Sequence, residues 1–371
     1  MRLITVYDNP ESLRDKLHGI DYLDSNDLFH LYDVFDNNFI DRMLKEKGKP
    51  GVMVNDAFLF YDEMPEGIEY IGLPSWLEQE AKKYSSDEFD DFAPLVTRHC
   101  FNFMINKKLV NRYLLLKLVE LFRLTNMCYT WSGSGKEFDM SGIINELNQL
   151  GNCSPLTDEQ RASMFQPVGL IPHFIETPSN QSYQPENTIR STESITGSHV
   201  PYAGNKVMWE AGLCQLFSTS AVALISESCE FQKGAVYTEK SLFSVLGLNF
   251  PIWIGGYKQA EYWEKLGFDI FSDVIDHSYQ YYDTLIERCY WAFAKNIKIL
   301  TDKDFAKQLR ESCRTRLLHN RTQILSDIIG KYTENKMSQY SKEIQETYSR
   351  VADIYHNRGL DSKLLNSKKV R

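Results

Sequence analysis

The sequence reads as an α/β chain with two sheet-bearing units followed by helices. Three observations predict this. Strand-like apolar runs alternate with helical repeats between residues 99 and 278, the rhythm of a Rossmann-like parallel sheet. The length, 371 residues, is about twice that of a usual domain. From residue 279 onward the periodicity is helical almost throughout.

Taken in order, residues 1–98 form a mixed unit with strand candidates at 2–7, 51–55 (GVMVN) and 69–71. A helical spacing at 37–47 ends at Gly48 and Pro50. The polar run at 85–91 (SSDEFDD) reads as a linker or solvated loop. A second unit, 99–278, opens with a strand at 100–105 (CFNFMI). A helix with a broad apolar face follows at 112–123 (RYLLLKLVELFR), then a strand at 127–131 and a helix at 140–150. Residues 164–206, rich in Pro, Ser, Thr, Asn and Gln, break the pattern, and a loop of that length is expected near the working cleft. The rhythm resumes with a buried strand at 221–226, a helix and its lead-in at 237–246, and a strand at 250–254 (FPIWI) closed by Gly255 and Gly256. A helix at 258–266 and a short strand at 268–271 complete the unit. The third region, 279–371, is expected to carry long amphipathic helices at 302–329 and 333–355, ending in a basic tail.

Composition narrows the function classes. Apolar residues make up 43% and charged residues 25%, ordinary for a globular protein. The net charge of −9 argues against a protein that holds nucleic acid through many phosphates. The 7 cysteines are odd in number and never at C-x-x-C spacing, which fits free thiols in a reducing compartment. The first residues lack the apolar core of a signal peptide, and the longest apolar stretches are too short for a membrane span, so a cytoplasmic location is expected. The histidines show no paired ligand spacing, and Asp302-Lys303-Asp304 reads as a helix cap, so neither a metal nor a resident cofactor is expected.

The chemistry concentrates in segment 236–256 (VYTEKSLFSVLGLNFPIWIGG). Glu239 and Lys240 open a helix after a strand and a polar loop. Free amides and positive potential at such a start suit a diphosphate, and Lys240 adds a full charge. The two oxygens of Glu239 suit the two hydroxyls of a ribose, and Gly255 and Gly256 permit close backbone approach to a ligand. The same residues also fit a capping carboxylate beside a solvent-facing lysine.

The run Tyr237-Thr238-Glu239-Lys240, followed by Phe250-Pro251-Ile252-Trp253-Ile254-Gly255, resembles the Y-V-T-E-K and P-I/V-Y-W-G hallmark of α1,3-fucosyltransferases and their relatives; the Val between Tyr and Thr is missing here. Upstream, Ile225-Ser226-Glu227-Ser228 resembles the F-E-N-S strand end of that family. Phe103-Met104-Ile105-Asn106 with Arg112 resembles its F-V-x-S-N…R segment. The order of the three motifs is preserved over residues 100–256. The stretch from Tyr262 through Phe271 to Tyr279 is similar to a looser set of glycosyltransferase-like proteins of phages and marine bacteria.

The resemblance implies a GT-B architecture, two Rossmann-like domains facing across a cleft. It also implies transfer of a sugar from a nucleoside diphosphate sugar to a carbohydrate or other hydroxyl acceptor, with inversion and without metal. By the same resemblance Arg112 and Lys240 neutralise the diphosphate, Glu239 holds the ribose, and Tyr237 packs on the nucleoside. Thr238, Glu227 and Gly255 line the crevice, and Lys107 adds positive potential at its mouth. The related enzymes take the acceptor proton with a carboxylate of the N-terminal domain. In segment 54–66 (VNDAFLFYDEMPE) Asp56 stands at the expected strand end and is the candidate base, a turn-forming Asp being the other reading. Two alternatives stand beside this activity: a non-catalytic binding or scaffold protein with the same fold, and a phage enzyme that glycosylates modified DNA bases, which the charge of −9 disfavours.

Overall fold

The computed structural model describes residues 2–6, 23, 25, 27–31, 44–55, 58–61, 64, 66–105, 109–125, 127–132, 140–149, 155–166, 206, 209–227, 234–346 and 348–349. Its elements in the N-terminal part are β1 (Arg2–Val6), β2 (Asp27–Leu31), β3 (Val52–Asn55), β4 (Phe58–Tyr61), β5 (Glu69–Gly72) and helix α1 (Ser75–Ala81). Four of these strands form a parallel sheet in the order β1-β2-β3-β5. Every residue of β3 is buried, as expected for a parallel strand covered on both faces.

A second parallel sheet is built from β6 (His99–Ile105), β7 (Cys128–Ser132), β8 (Ser220–Ile225) and β10 (Phe250–Trp253). Between these strands run α2 (Val110–Leu121), α3 (Met140–Gln149), α4 (Asp158–Met164), a π-helical turn at Trp209–Leu213 that leads into α5 (Cys214–Ser218), then β9 (Gly234–Val236) and α6 (Glu239–Leu246). After β10 come α7 (Gln259–Lys265), a 3-10 turn at Ser278–Tyr281, α8 (Leu285–Lys295), α9 (Ile297–Thr301), α10 (Lys303–Ser312), α11 (Arg314–Leu325) and α12 (Ile328–Met337).

The strand order of this sheet is β10-β8-β6-β7. The chain steps from β6 to one side for β7, then returns to the other side of β6 for β8 and β10. The connections leaving β6 and β8 therefore diverge, which opens a crevice at their carboxyl ends. The continuous apolar run of β8 (SAVALI) is buried along its whole length. One face is covered by α2, ten of whose residues are buried, and by α8, which presents Leu285, Cys289, Ala292 and Phe293 at helical spacing. The other face carries α6, α7 and α1.

Two features join the N-terminal part to the rest. Strand β4 pairs antiparallel with β9, Phe58 opposite Val236 and Tyr61 opposite Gly234. After α12 the chain lies against the first sheet, where Met337 and Ile344 share a core with Val52, Val54, Ile71 and Leu73. The Tyr348 hydroxyl is 2.9 Å from the Ser75 hydroxyl.

Several sequence expectations change here. The strand expected at 268–271 is a loop. The Asp269 amide donates to the Asn320 side chain, the Phe271 amide donates to Asp269, and Phe271 has φ of 57°, so no ladder forms. The run at 302–329 is divided into shorter helices, the last break falling at Asp327, whose φ of 61° cannot continue a helix. The helix expected at 333–355 is interrupted: α12 stops at Met337, and helical residues resume at 342–346 and 348–349, with 350–355 outside the described residues. Strands β2 and β4 and helix α1 were not expected. Asp302 does cap α10, accepting from the Phe305 amide at 3.0 Å. Of the loop at 164–206, residues 167–205 lie outside the described residues. Among the described residues, no helix is long and apolar enough to cross a membrane.

Candidate functional site

The site forms where the carboxyl ends of β6 and β8 diverge. Arg112 and Asn111 stand in the first turn of α2, which follows β6. The Asn111 side-chain amide donates to the Glu227 carbonyl at 2.8 Å, and an Arg112 Nη donates to the Ser226 carbonyl at 3.4 Å. Two side chains of one helix start thus grip the chain as it leaves β8. Both are almost wholly buried, each at 1% exposure.

Glu227 ties this point to α6. Its carboxylate accepts from the Thr238 amide at 3.0 Å, from the Ser241 hydroxyl at 2.7 Å, and from the Thr238 hydroxyl. Ser241 in turn accepts from the Trp253 indole N–H at 3.0 Å, which extends the chain of hydrogen bonds to β10. Burial pushes the Glu227 carboxyl above the usual range, against the pull of Lys240.

Thr238 caps α6. On the first turn Lys240 Nζ lies 2.6 Å from Glu239 Oε1 and 3.3 Å from the Thr238 hydroxyl oxygen. Burial opposes ionisation of Glu239, but Lys240, its hydrogen bond and Arg112 outweigh it and hold the carboxyl below its ordinary range. Arg112 and Lys240 therefore act on the same carboxylate, although they belong to different helices far apart in sequence. Charge of both signs is gathered on one strand-end crevice, where the starts of α2 and α6 add their amide dipoles.

A comparison of the chain with protein-family models, with curated proteins and with solved structures finds no match. The site is therefore weighed on its own geometry.

The structure brings together Arg112, Glu227, Thr238, Glu239 and Lys240. It places two of the expected residues otherwise. Tyr237 is a core residue at 3% exposure, with its ring centroid 4.7 Å from that of Trp263 and 6.1 Å from that of Trp253. Its hydroxyl donates to the Gln259 carbonyl. The ring expected to pack on a nucleoside is enclosed in this core rather than open at the crevice. Gly255 has φ of 79°, and a Cβ there would stand 2.5 Å from Leu285 Cδ1 and 3.3 Å from Cys289 Sγ. Its close neighbour is α8, so the requirement for glycine comes from helix packing. Lys240, weighed above as solvent-facing, is buried at 5% exposure. Asp56 and Lys107 lie outside the described residues.

Sequence reasoning missed Asn111, Ser241 and Arg288. Buried Arg288 on α8 holds the turn after β10, donating to the Gly255 carbonyl at 2.9 Å and to the Tyr282 and Asp283 carbonyls at 2.9 and 2.8 Å. Asn111 had a signal in its position beside Arg112; Arg288 had none, because it lies on an otherwise ordinary amphipathic helix.

A cleft of about 780 Å³ lies at the other end of the second sheet, lined by residues that precede its strands, Arg98, Thr219 and Leu248 among them. Its buried Arg310 donates to the carbonyls of Leu248, Val96, Ser218 and Gly247 at 2.7–3.1 Å. That guanidinium closes the ends of α5 and α6 and is not directed at a ligand. Among the described residues, no group of three or more His, Cys, Asp or Glu side chains is arranged to hold a metal ion.

Proposed function

We propose that the chain is a glycosyltransferase of GT-B architecture that transfers a sugar from a nucleoside diphosphate sugar to an acceptor hydroxyl. The observation that carries this reading is the convergence of Arg112, Glu239 and Lys240, from two separate helix starts, on the switch-point crevice of a parallel sheet. The first parallel sheet and the return of the chain to it after α12 agree with a second domain across a cleft.

In the proposed reaction the acceptor oxygen bonds to the anomeric carbon as the bond from that carbon to the diphosphate oxygen breaks. The electron pair leaves on the diphosphate. Arg112, Lys240 and the amides at the two helix starts stabilise the charge that develops there. The acceptor proton passes to a carboxylate base, the part that the family resemblance gives to Asp56. Positioning and leaving-group stabilisation supply most of the rate in this scheme, so no metal is needed.

The test is release of free nucleoside diphosphate from a panel of nucleoside diphosphate sugars, with acceptor sugars present. Turnover of at least one donor, lost in Arg112→Ala and Lys240→Ala, supports the reading. Absence of turnover with every donor, together with absence of diphosphate binding, sinks it. A second reading, a binding or scaffold protein, is favoured by one observation: Glu227 and Glu239 are both engaged by donors of their own chain, and Arg112 and Lys240 are only 1% and 5% exposed. Tight nucleotide binding without transfer identifies that case.

A further inference from the structure

We propose that the cleft at the amino end of the second sheet binds a small organic anion with an apolar body, a medium-chain carboxylate in chemical class. This cleft lies at the far end of the sheet from the crevice of Arg112 and Lys240, so the proposal does not depend on the nucleotide reading. At about 780 Å³ it has the size of a small-molecule site.

One wall is apolar. Ala93, Pro94, Leu95 and Val96 line it, together with Leu246 and Leu248. Phe92 and Val96 are two of the three large apolar side chains left exposed among the described residues, at 94% and 47%. They are presented by a fixed turn: Asp90 Oδ1 accepts from the Phe92 amide at 2.9 Å and from the Ala93 amide at 3.1 Å. An exposed apolar strip held in place beside a cleft marks a binding surface.

The cleft also gathers cations. Arg98, Arg310 and Arg321 line it, and Asp90, the acidic residue among the lining side chains, is engaged by its own turn. Arg321 pairs with Asp91. Arg310 spends its donors on carbonyls and on the Thr97 hydroxyl, and among the described residues no carboxylate forms an ion pair with it. Burial, and behind it the charge of Arg321, lower the Arg310 pKa to about 10 against the pull of Glu311. An anion in the cleft relieves that uncompensated charge. Arg98 supplies the contact: it is exposed, and its side chain makes no hydrogen bond or ion pair among the described residues. The two walls together select the class. An inorganic anion leaves the apolar wall wet, and a neutral apolar molecule leaves the arginines unmatched. The exposed carboxylates of Asp87, Asp90 and Asp91, on the segment that leads to the rim, repel an anionic membrane or a nucleic acid.

The experiment is titration calorimetry of the full chain with octanoate, octan-1-ol and inorganic phosphate. It is run on the natural sequence, on Arg98→Ala and on Val96→Asp. Octanoate should bind the natural sequence at a single site, and octan-1-ol and phosphate should each bind at least about tenfold more weakly. Arg98→Ala should weaken octanoate about tenfold by removing a charge-assisted contact, and Val96→Asp should do so to a similar degree by placing an anion on the apolar wall. Both side chains are exposed, so the urea midpoints of the variants should stay where they are. Equal affinity for octanoate and octan-1-ol, equal affinity for octanoate and phosphate, or octanoate binding that survives Arg98→Ala overturns the proposal. So does absence of octanoate binding at millimolar concentration; co-sedimentation with anionic lipid vesicles in that case assigns the strip to a membrane surface instead. Should either variant fail to fold, the comparison of the three probes on the natural sequence decides alone.

Discussion

Replacing Glu227 by alanine tests the geometry of the crevice apart from any activity. Glu227 is 3% exposed and accepts three hydrogen bonds, from the Thr238 amide, the Thr238 hydroxyl and the Ser241 hydroxyl. The amide cannot turn to another acceptor, and leaving it orphaned costs about 1–3 kcal/mol. The two hydroxyls rotate, so their loss is about 1 kcal/mol each. Part of this is returned, because burial already disfavours the ionised carboxylate and its desolvation is relieved. A net destabilisation of about 2–4 kcal/mol is expected for Glu227→Ala. For Glu227→Gln about 1–2 kcal/mol is expected, since one acceptor oxygen survives. Urea unfolding followed by tryptophan fluorescence is the assay, because Trp253 is linked to Glu227 through Ser241. The midpoint should fall while the slope is kept. Changes below about 0.5 kcal/mol in both variants would refute the claim that Glu227 organises the start of α6.

Three further outcomes follow from the same structure. Arg112→Lys should not restore the diphosphate binding lost in Arg112→Ala, because a point charge does not replace a guanidinium fork; equal affinity of Arg112→Lys and the natural sequence, measured by titration calorimetry, counts against that role. Gly255→Ala combines a positive φ of 79° with a contact of 2.5 Å to Leu285, and should lower stability by about 1–3 kcal/mol in urea unfolding; an unchanged midpoint contradicts the packing argument. His277 is desolvated by burial, which lowers its pKa from 6.5 to about 4, while Nε2 donates to the Ile270 carbonyl at 2.9 Å. Its folded pKa lies below the unfolded one, so its contribution is full above pH 6.5 and is lost as pH falls toward about 4. At about 1.4 kcal/mol per pH unit the loss reaches about 3 kcal/mol, which His277→Gln should remove from the acid limb of the stability profile; parallel profiles for the two proteins refute it.

The parallel class of the second sheet was legible because β6, β8 and β10 are buried nearly throughout and therefore read as continuous apolar runs. Strand β8 and helix α2 fall within a residue or two of where the sequence puts them. The helices after α8 were harder. Their periodicity survives across breaks set by single residues such as Asp327, whose left-handed backbone leaves no mark on an amphipathic pattern. The same blindness hid α1, whose apolar residues face a core assembled mainly from residues more than a hundred positions later. At the site, the motif order located Arg112, Glu227 and Lys240. It did not reveal that Lys240 pairs with its own neighbour Glu239, since adjacent helical residues do not ordinarily face each other. Nor did it reveal that Tyr237 is consumed by the Trp253 and Trp263 core: an aromatic beside a ligand motif looks the same in sequence whether it stacks on a base or on a tryptophan.

The central claim is that Arg112 and Lys240 form one diphosphate site at the switch point of the second sheet. Equilibrium titration with a panel of nucleoside diphosphates, comparing the natural sequence with Arg112→Ala, Lys240→Ala and the double variant, tests it most directly. Each single substitution should weaken binding of the preferred nucleotide by about 1.5–3 kcal/mol, and the double variant should fall short of the sum because both cations act on one ligand and on Glu239. Strictly additive losses, or single variants that bind as tightly as the natural sequence, would contradict a shared site.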